Sequence, residues 1–436
     1  MPDGSLHWEG VPIAPLAQEK GTPFFLFGEE RLLKNLAAVR TGLEAAGVSA
    51  EIRYCAKSNS ELGLQQVFAS AESSVLASTA EEVALAVAAG FPPDRIAYQR
   101  PVLGPEVAAV LAAGVLRIHA YRISDIEILE QYAAEIGVQL LVSLRIRDTR
   151  GGIRLFGAAA QRLGFAPDEA VEASRLLAAS SRLELDALNS YIGTQQQGLA
   201  RFSSSIRLLG SVAENIRRAT GQEVAELNIG GGIPSDTLRR ISPGQMIHRA
   251  ADRIAEPRTT LVEFSSAVGE MLRSEIERVP FIRRVAAEPG RSLVGNAGVL
   301  VTRVAVVQGN WLFVDASRNV LCESPLLFNR RIDVEMARRD DERNRFYNIS
   351  GPTLNTLDVI DWRRRLPSLE RGDLLVFSDA GAYSLSRAAR YAGLCPPAYL
   401  IKSEREVRLI RRAETLSDLT GPMVPLTGTP DRETSF

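Results

Sequence analysis

From about residue 30 to residue 295 one theme recurs in this 436-residue chain: a short β-branched or alternating run, then a longer segment whose apolar residues follow helical spacing. The candidate strands are 51–57 (EIRYCAK), 73–78 (SSVLAS), 96–101 (IAYQRP), 116–122 (LRIHAYR), 139–146 (QLLVSLRI), 185–193 (LDALNSYIG), 225–232 (AELNIGGG) and 283–290 (RRVAAEPG). Strands alternating with helices make an α/β chain with a parallel sheet. Eight such units in about 265 residues predict a closed (β/α)8 barrel of the TIM type rather than an open doubly wound sheet. The helices carry matching punctuation. Ser78 followed by Glu81 reads as a capping box opening TAEEVALAVAA, which Gly90 ends; Ser124 and Glu127 repeat the pattern before IEILEQYAAEI and Gly137.

After residue 295 the texture changes to GVLVTRVAVVQ, WLFVDAS, YNISGPTLNTLDVI, GDLLVFSDAG and PAYLIK, short strands bounded by Gly, Asn, Asp and Pro. This predicts a β-rich C-terminal domain of sandwich or barrel-like form. The early segment TPFFLFGEE reads as a strand that joins it. The expected organisation is therefore 1–29 as an N-terminal strand of the β domain, 30–295 as the barrel and 296–436 as the β domain. The charged run NRRIDVEMARRDDERNRF reads as a solvated loop or helix face.

Composition excludes several partners. With 51 basic against 52 acidic side chains, no basic patch points to nucleic acid or to a polybasic membrane contact. No run approaches the ~18 apolar residues of a membrane span, and MPDGSLHWEG lacks the basic and apolar regions of a secretion signal, so a cytoplasmic protein is expected. Cys55, Cys322 and Cys395 are widely spaced, and only His7, His119 and His248 are available, so neither a disulfide framework nor a metal site is expected.

In a βα barrel, residues at the carboxyl ends of strands converge on one mouth, where chemistry is done. Lys57, Tyr191, Thr194, the triplet Gly230, Gly231 and Gly232, and Glu288 with Arg291 all fall there. A partly desolvated lysine has a lowered pKa and offers a neutral amine for imine formation; the alternative is a lysine reaching out to water. A glycine triplet lets backbone N–H groups approach an anion such as phosphate, although such a run also serves a tight strand exit. The EPGR turn is either a local ion pair or a carboxylate facing a pyridine nitrogen beside a phosphate-binding arginine. Imine-forming lysine, phosphate loop and pyridinium-facing carboxylate are together the requirements of pyridoxal 5'-phosphate (PLP).

On these motifs the chain resembles the fold-type III PLP-dependent decarboxylase family, in its diaminopimelate and ornithine decarboxylase branch. YCAKSN resembles the cofactor-lysine motif Y-A-V-K-A-N, YIGTQ resembles H-I-G-S-Q, LNIGGGIP resembles D-I-G-G-G-F-P, and EPGRSLVGNAGVLVTRV, GPTLNTLDVI and GDLLVFSDAGAYSLS follow in family order. The resemblance implies that Lys57 forms the imine (aldimine) to PLP, that Glu288 pairs with the pyridine nitrogen, and that Gly230, Gly231, Gly232, Thr194 and Arg291 hold the phosphate. It further implies that Tyr191 faces the ring, that Arg145 lies beside it, and that Tyr383 approaches phosphate or substrate. A head-to-tail homodimer with active sites at the subunit interface is implied as well.

The departures bear on substrate. Where family decarboxylases read G-P-T-C-E/D this chain has Gly351-Pro352-Thr353-Leu354-Asn355, so the thiol that helps control protonation is Leu354 and the acidic amine-recognising neighbour is Asn355. The ring-stacking histidine is Tyr191. The arginine segment that binds a distal carboxylate is CESPLLF, where Glu323 either recognises a cation or faces solvent, and Cys322 either replaces the missing thiol or is an inert small hydrophobe. The expected activity is α-decarboxylation of an amino acid, free or linked to a carrier protein, other than diaminopimelate or ornithine. The alternatives are a PLP-dependent racemase, epimerase or elimination enzyme, and a PLP-binding protein with little catalysis.

Overall fold

The structure is a computed structural model that describes residues 5–147, 162–240, 259–323, 328–335, 345–424 and 426. The chain divides into two compact units, Leu32–Asp236 with Pro257–Val294, and Met1–Arg31 with Thr237–Glu256 and Gly295–Phe436.

The first unit is a closed parallel barrel. Its strands are β1 (Ser49–Cys55), β2 (Ser74–Ala77), β3 (Ile96–Gln99), β4 (Arg117–Ala120), β5 (Leu140–Arg145), β6 (Leu183–Asn189), β7 (Glu226–Asn228) and β8 (Arg284–Ala287), with β8 closing on β1. The strands stop earlier than the sequence pattern suggests: Lys57 follows β1 in a 3-10 turn (Ala56–Ser58), and Tyr191, the glycine triplet and Glu288 all lie just past their strands. The reason is chemical. A buried strand needs a partner for every N–H and C=O, whereas mouth residues turn away to present side chains.

Helices cover the barrel with one apolar face each. In Ala200–Thr220 the buried Phe202, Ile206, Leu209, Val212, Ala213 and Ile216 recur at three- and four-residue spacing, and left-handed Gly221 ends the helix. Each such aliphatic or aromatic side chain stabilises the fold by about 1.5–3 kcal/mol. Helix Glu29–Glu44 lies so close to helix Leu261–Arg278 that a Cβ on Gly269 would sit 2.3 Å from the Gly42 carbonyl oxygen. The expected caps shift by a residue or vanish. Thr79, not Ser78, accepts from Glu82 N–H, and the helix Ile123–Ile136 begins at Arg122 without a side-chain cap, while Gly137 ends it in the left-handed conformation as its position implies.

The barrel floor is ionic. Arg53 and Glu226, both fully buried, pair at 2.9 Å; Arg53 also meets Glu51 at 2.6 Å, and Arg117 and Arg284 bridge this pair to Asp186. Burying these charges is tolerable only because each faces an opposite charge.

The second unit is β-rich. Its spine is Gly298–Gln308, which pairs antiparallel with Trp311–Val314, with Leu374–Phe377 and with the N-terminal strand Phe24–Gly28; that strand in turn pairs parallel with Ala398–Ile401. Phe24, Leu26, Val299, Val301, Val376 and Ile401 pack into one core with Ile13 and Leu16 from helix Ile13–Lys20. Alternation along 298–301 and 24–27 puts these residues on one face. The charged run departs from expectation: Phe328–Asn329 and Ile332–Glu335 are strands, the latter paired with Leu374–Phe377, and 336–344 lie outside the described residues, as does Ser324. Among the described residues no helix is long and apolar enough to cross a membrane, and no cluster of His, Cys, Asp and Glu has metal-binding form.

Candidate active site

The turn that carries Lys57 is built by its neighbours. Ser58 Oγ donates to Cys55 O at 2.8 Å, Tyr54 Oη donates to Asn59 O at 2.5 Å, and Cys55 N–H donates to Pro289 O at 3.1 Å, tying the lysine turn to the EPGR turn. Gly290 allows that approach, since a Cβ there would stand 2.9 Å from Ser58 Cβ. Glu288 N–H donates to Gly230 O at 2.9 Å, which joins the third mouth segment to the other two.

The glycine triplet is required by this packing. Gly230 has φ +63° and an added Cβ would fall 2.0 Å from Ser190 O; Gly232 has φ +113° and would meet Gly193 O at 2.7 Å. Beside the loop, Arg291 Nε donates to Thr194 Oγ1 at 3.3 Å. Three backbone turns, a guanidinium and a hydroxyl thus converge, which is the donor set a phosphate takes.

Glu288 is buried. Asn228 Nδ2 and Asn189 Nδ2 both donate to its Oε1, at 2.7 and 3.1 Å. The two amides are themselves fixed: Asn228 Oδ1 accepts from Gly230 N–H at 2.9 Å, and Asn189 Oδ1 accepts from Arg145 Nη1 at 2.9 Å. Burial pushes the Glu288 carboxyl above its ordinary range, although Arg145 and Arg53 pull the other way. His119, fully buried on β4, has Nε2 3.5 Å from Glu288 Oε1. Burial and then the nearby Arg53 hold this imidazole well below its usual value, so it is neutral and the contact is not an ion pair.

One expectation is reversed at Lys57. Its ammonium is held above its ordinary value, first by Cys55 and also by Glu288, against the opposing effect of burial. The lysine is therefore protonated at neutral pH in the chain by itself, not neutralised by desolvation. Cys55 itself is pushed up to about 11 by burial and packs with Leu76 and Ala97 inside the barrel. Arg145 lies with its guanidinium carbon 5.3 Å from the centre of the Tyr191 ring, a cation–π contact at the mouth.

The barrel unit thus gathers Lys57, Arg145, Tyr191, Thr194, Gly230, Gly231, Gly232, Glu288 and Arg291. Tyr383, Glu323, Leu354 and Asn355 belong to the β-rich unit. Tyr383 holds a left-handed backbone, φ +55°, which costs a side-chain-bearing residue about 1 kcal/mol or more. Glu323 neither faces solvent nor waits for a cation: it is buried and paired with buried Arg330 at 2.8 Å. Cys322 Sγ donates to Asn319 O and Arg387 O, both at 3.1 Å, and burial raises its thiol. Asn355 Oδ1 accepts from Leu357 N–H at 3.0 Å within its own turn, and Leu354 is fully exposed.

Asn189, Asn228 and His119 escape a motif-based reading. Their only signal is a polar residue at a buried strand position near the carboxyl end of its strand.

Residues 30–295 match the family model described as pyridoxal-dependent decarboxylase, pyridoxal binding domain. The chain is 26% identical over 430 residues to the diaminopimelate decarboxylase of Zymomonas mobilis, covering 96% of both chains. The diaminopimelate decarboxylase structure from M. jannaschii in complex with L-lysine superimposes with TM-score 0.83 at 21% identity, covering 97% of each chain. A SrLDC structure holding PLP and cadaverine gives TM-score 0.72 at 19% identity, covering 92% of this chain and 96% of that one.

Proposed function

This chain belongs to the pyridoxal-dependent decarboxylase family, as a PLP-dependent carboxy-lyase, and from that premise we propose that it removes the α-carboxylate of an amino acid other than diaminopimelate or ornithine. The observation that carries the chemistry is Glu288, a buried carboxyl fixed by two amides on one oxygen and raised by burial, which suits it to face a ring nitrogen. The glycine cradle, closed to a Cβ at Gly230 and Gly232, suits a phosphate. These residues fit PLP.

PLP, when bound, supplies a carbonyl for amine attack and a pyridine ring that takes up electrons. Lys57 Nζ would be the amine that holds the cofactor's carbonyl, and since its pKa is raised it would have to lose a proton to do so. Gly230, Gly231, Gly232, Thr194 and Arg291 would bind and orient the phosphate. Glu288 would hold a proton at the ring nitrogen, and Asn189 and Asn228 keep its carboxyl in place. Tyr191 would lie against the ring face, with Arg145, already in contact with Tyr191, beside it.

The proposal on substrate rests on the second unit. By the resemblance, Cys322, Glu323 and Ser324 lie near the place of a carboxylate-binding arginine, and Glu323 is paired internally with Arg330. Leu354 offers no proton, and Asn355 offers no charge for a distal amine. Fully exposed Leu354 and exposed Leu357 suit a homodimer in which this loop meets a second copy. The test is Leu354→Cys with Asn355→Asp. If the loop has been retuned for another substrate, the double variant releases no more CO2 from diaminopimelate or ornithine than the parent does. A tenfold or larger rise would mean that the loop has decayed from a diamino-acid site and has not been retuned, and the proposal is wrong.

A further inference from the structure

Three strands of the barrel converge on one oxygen of Glu288. Asn189 on β6 and Asn228 on β7 each donate an amide N–H to Oε1, whereas among the described residues no hydrogen bond reaches Oε2. The third neighbour is His119 on β4, whose Nε2 stands 3.5 Å from the same Oε1. That side chain is completely buried, and neither of its ring nitrogens has an aligned hydrogen-bond partner among the described residues. Burying an imidazole in this way is costly, and a leucine would fill the position without that cost. A polar group kept there points to a use beyond packing.

The surrounding charges decide its form. Arg53 and Lys57 from the β1 segment, Arg117 from β4 itself and Arg145 from β5 are the cations about the ring, and together with burial they keep it neutral. Arg53 is paired with Glu226 on β7, which leaves Glu288 as the carboxylate the imidazole faces. A neutral imidazole carries one N–H, and the group facing each nitrogen selects which one bears it. Oε1 accepts from both amides and therefore presents lone pairs, so an Nε2–H is attracted there and an Nε2 lone pair is repelled. At 3.5 Å the attraction is electrostatic rather than that of a full hydrogen bond. Nδ1 is then an acceptor. Ser143, the register partner of His119 on β5 and so on the same face of the sheet, supplies a buried hydroxyl that has no other partner among the described residues.

We propose that His119 is a positioning residue for Glu288, fixed as its Nε2–H tautomer, which adds a third N–H facing Oε1 and so reserves Oε2 for the cofactor's ring nitrogen. The assignment rests on the role given to Glu288 above. Burial drives Glu288 toward its neutral form, in which it no longer accepts a ring N–H. An uncharged donor opposes that drift without adding a cation to an interior that already holds Arg53, Arg145 and Lys57.

The first measurement changes nothing at the site. In protein labelled with 15N-histidine, His7→Gln with His248→Gln leaves His119 as the only imidazole. Its 15N spectrum shows the proton on Nε2, unchanged from about pH 5.5 to about pH 8; a proton on Nδ1, or titration to imidazolium in that range, overturns the proposal. The second uses the cofactor-free chain labelled at the glutamate carboxyl carbons, with Glu288→Gln identifying the Glu288 signal. His119→Leu moves the titration midpoint of Glu288 upward by about half a pH unit or more, and His119→Gln, whose amide N–H takes the place of Nε2–H, returns most of that shift. Melting curves check that both variants are folded; if neither folds, the tautomer decides. Equal midpoints in the parent and folded His119→Leu, or no recovery in folded His119→Gln, overturn the proposal. PLP labelled with 15N at the ring separates this from the reading of Glu288. A ring nitrogen protonated in the parent but not in Glu288→Gln, beside an Nδ1–H imidazole, keeps that reading and removes His119. A ring nitrogen indifferent to Glu288→Gln, beside an Nε2–H imidazole and a shifted midpoint, upholds the donor on Oε1 and removes Glu288 from the ring.

Discussion

Lys57 shows how a residue's chemistry depends on partners that its own motif does not contain. YCAKSN marks it, but the direction of its pKa is set by Cys55 and by Glu288, which arrives from the far end of the barrel sequence. Because that pKa is raised, the neutral amine is scarce at pH 7, and its fraction grows about tenfold per pH unit below the pKa. Cofactor uptake by the apo chain should therefore accelerate about tenfold per unit between pH 7 and 9 in stopped-flow absorbance; a flat profile would contradict it. Glu288→Gln keeps the shape and removes the charge that holds a proton on the ring, so kcat should fall about 10²–10³-fold while PLP still binds. Lys57, the glycine triplet, Glu288, Arg291 and Thr194 were legible because each lies in a local pattern. Asn189, Asn228 and His119 were not, since their meaning exists only once separate strands are brought around one carboxyl.

The barrel's elements were legible from period and punctuation because strand and helix spacing are local properties. The exact caps were not: which of Ser78 and Thr79 caps a helix depends on how the preceding strand ends. The contact between helices Glu29–Glu44 and Leu261–Arg278 was equally hidden, and it yields a strict test. Gly269→Ala should destabilise the protein by about 1–3 kcal/mol through overpacking against Gly42 O, read from denaturant melts, whereas an unchanged midpoint would mean that the helices do not touch there. The barrel floor adds a pH dependence. Burial raises Glu51, but Arg53 and Arg117 outweigh it and bring the carboxyl down to about 2. A depressed carboxylate contributes stability above its unfolded value near 4.5 that is lost as pH falls toward about 2. Glu51→Gln should flatten the acid limb of the stability curve in that window, measured by urea melts from pH 5 to pH 2; an unaltered limb would show that the pairing contributes nothing.

At the scale of the whole molecule, the chain was readable as a barrel followed by a β-rich unit because the texture of the sequence changes near residue 295. The return of Phe24–Gly28 to that second unit was readable too, from an apolar strand with no barrel helix before it. The interior of the β-rich unit was harder. Nothing local in CESPLLFNRR says that Glu323 and Arg330 find each other in the core, and NRRIDVE hid two strands behind its charge. What unites both units is a single claim, that a cofactor held at Lys57 and Glu288 takes the α-carboxylate from an amino acid. Release of labelled CO2 by the PLP-loaded protein, from carboxyl-labelled acidic, neutral and basic amino acids, tests it most directly. The account predicts labelled CO2 from an amino acid other than diaminopimelate or ornithine, abolished in Lys57→Ala. Loss of chirality without CO2, or silence across free and carrier-linked substrates in fully loaded protein, would contradict it.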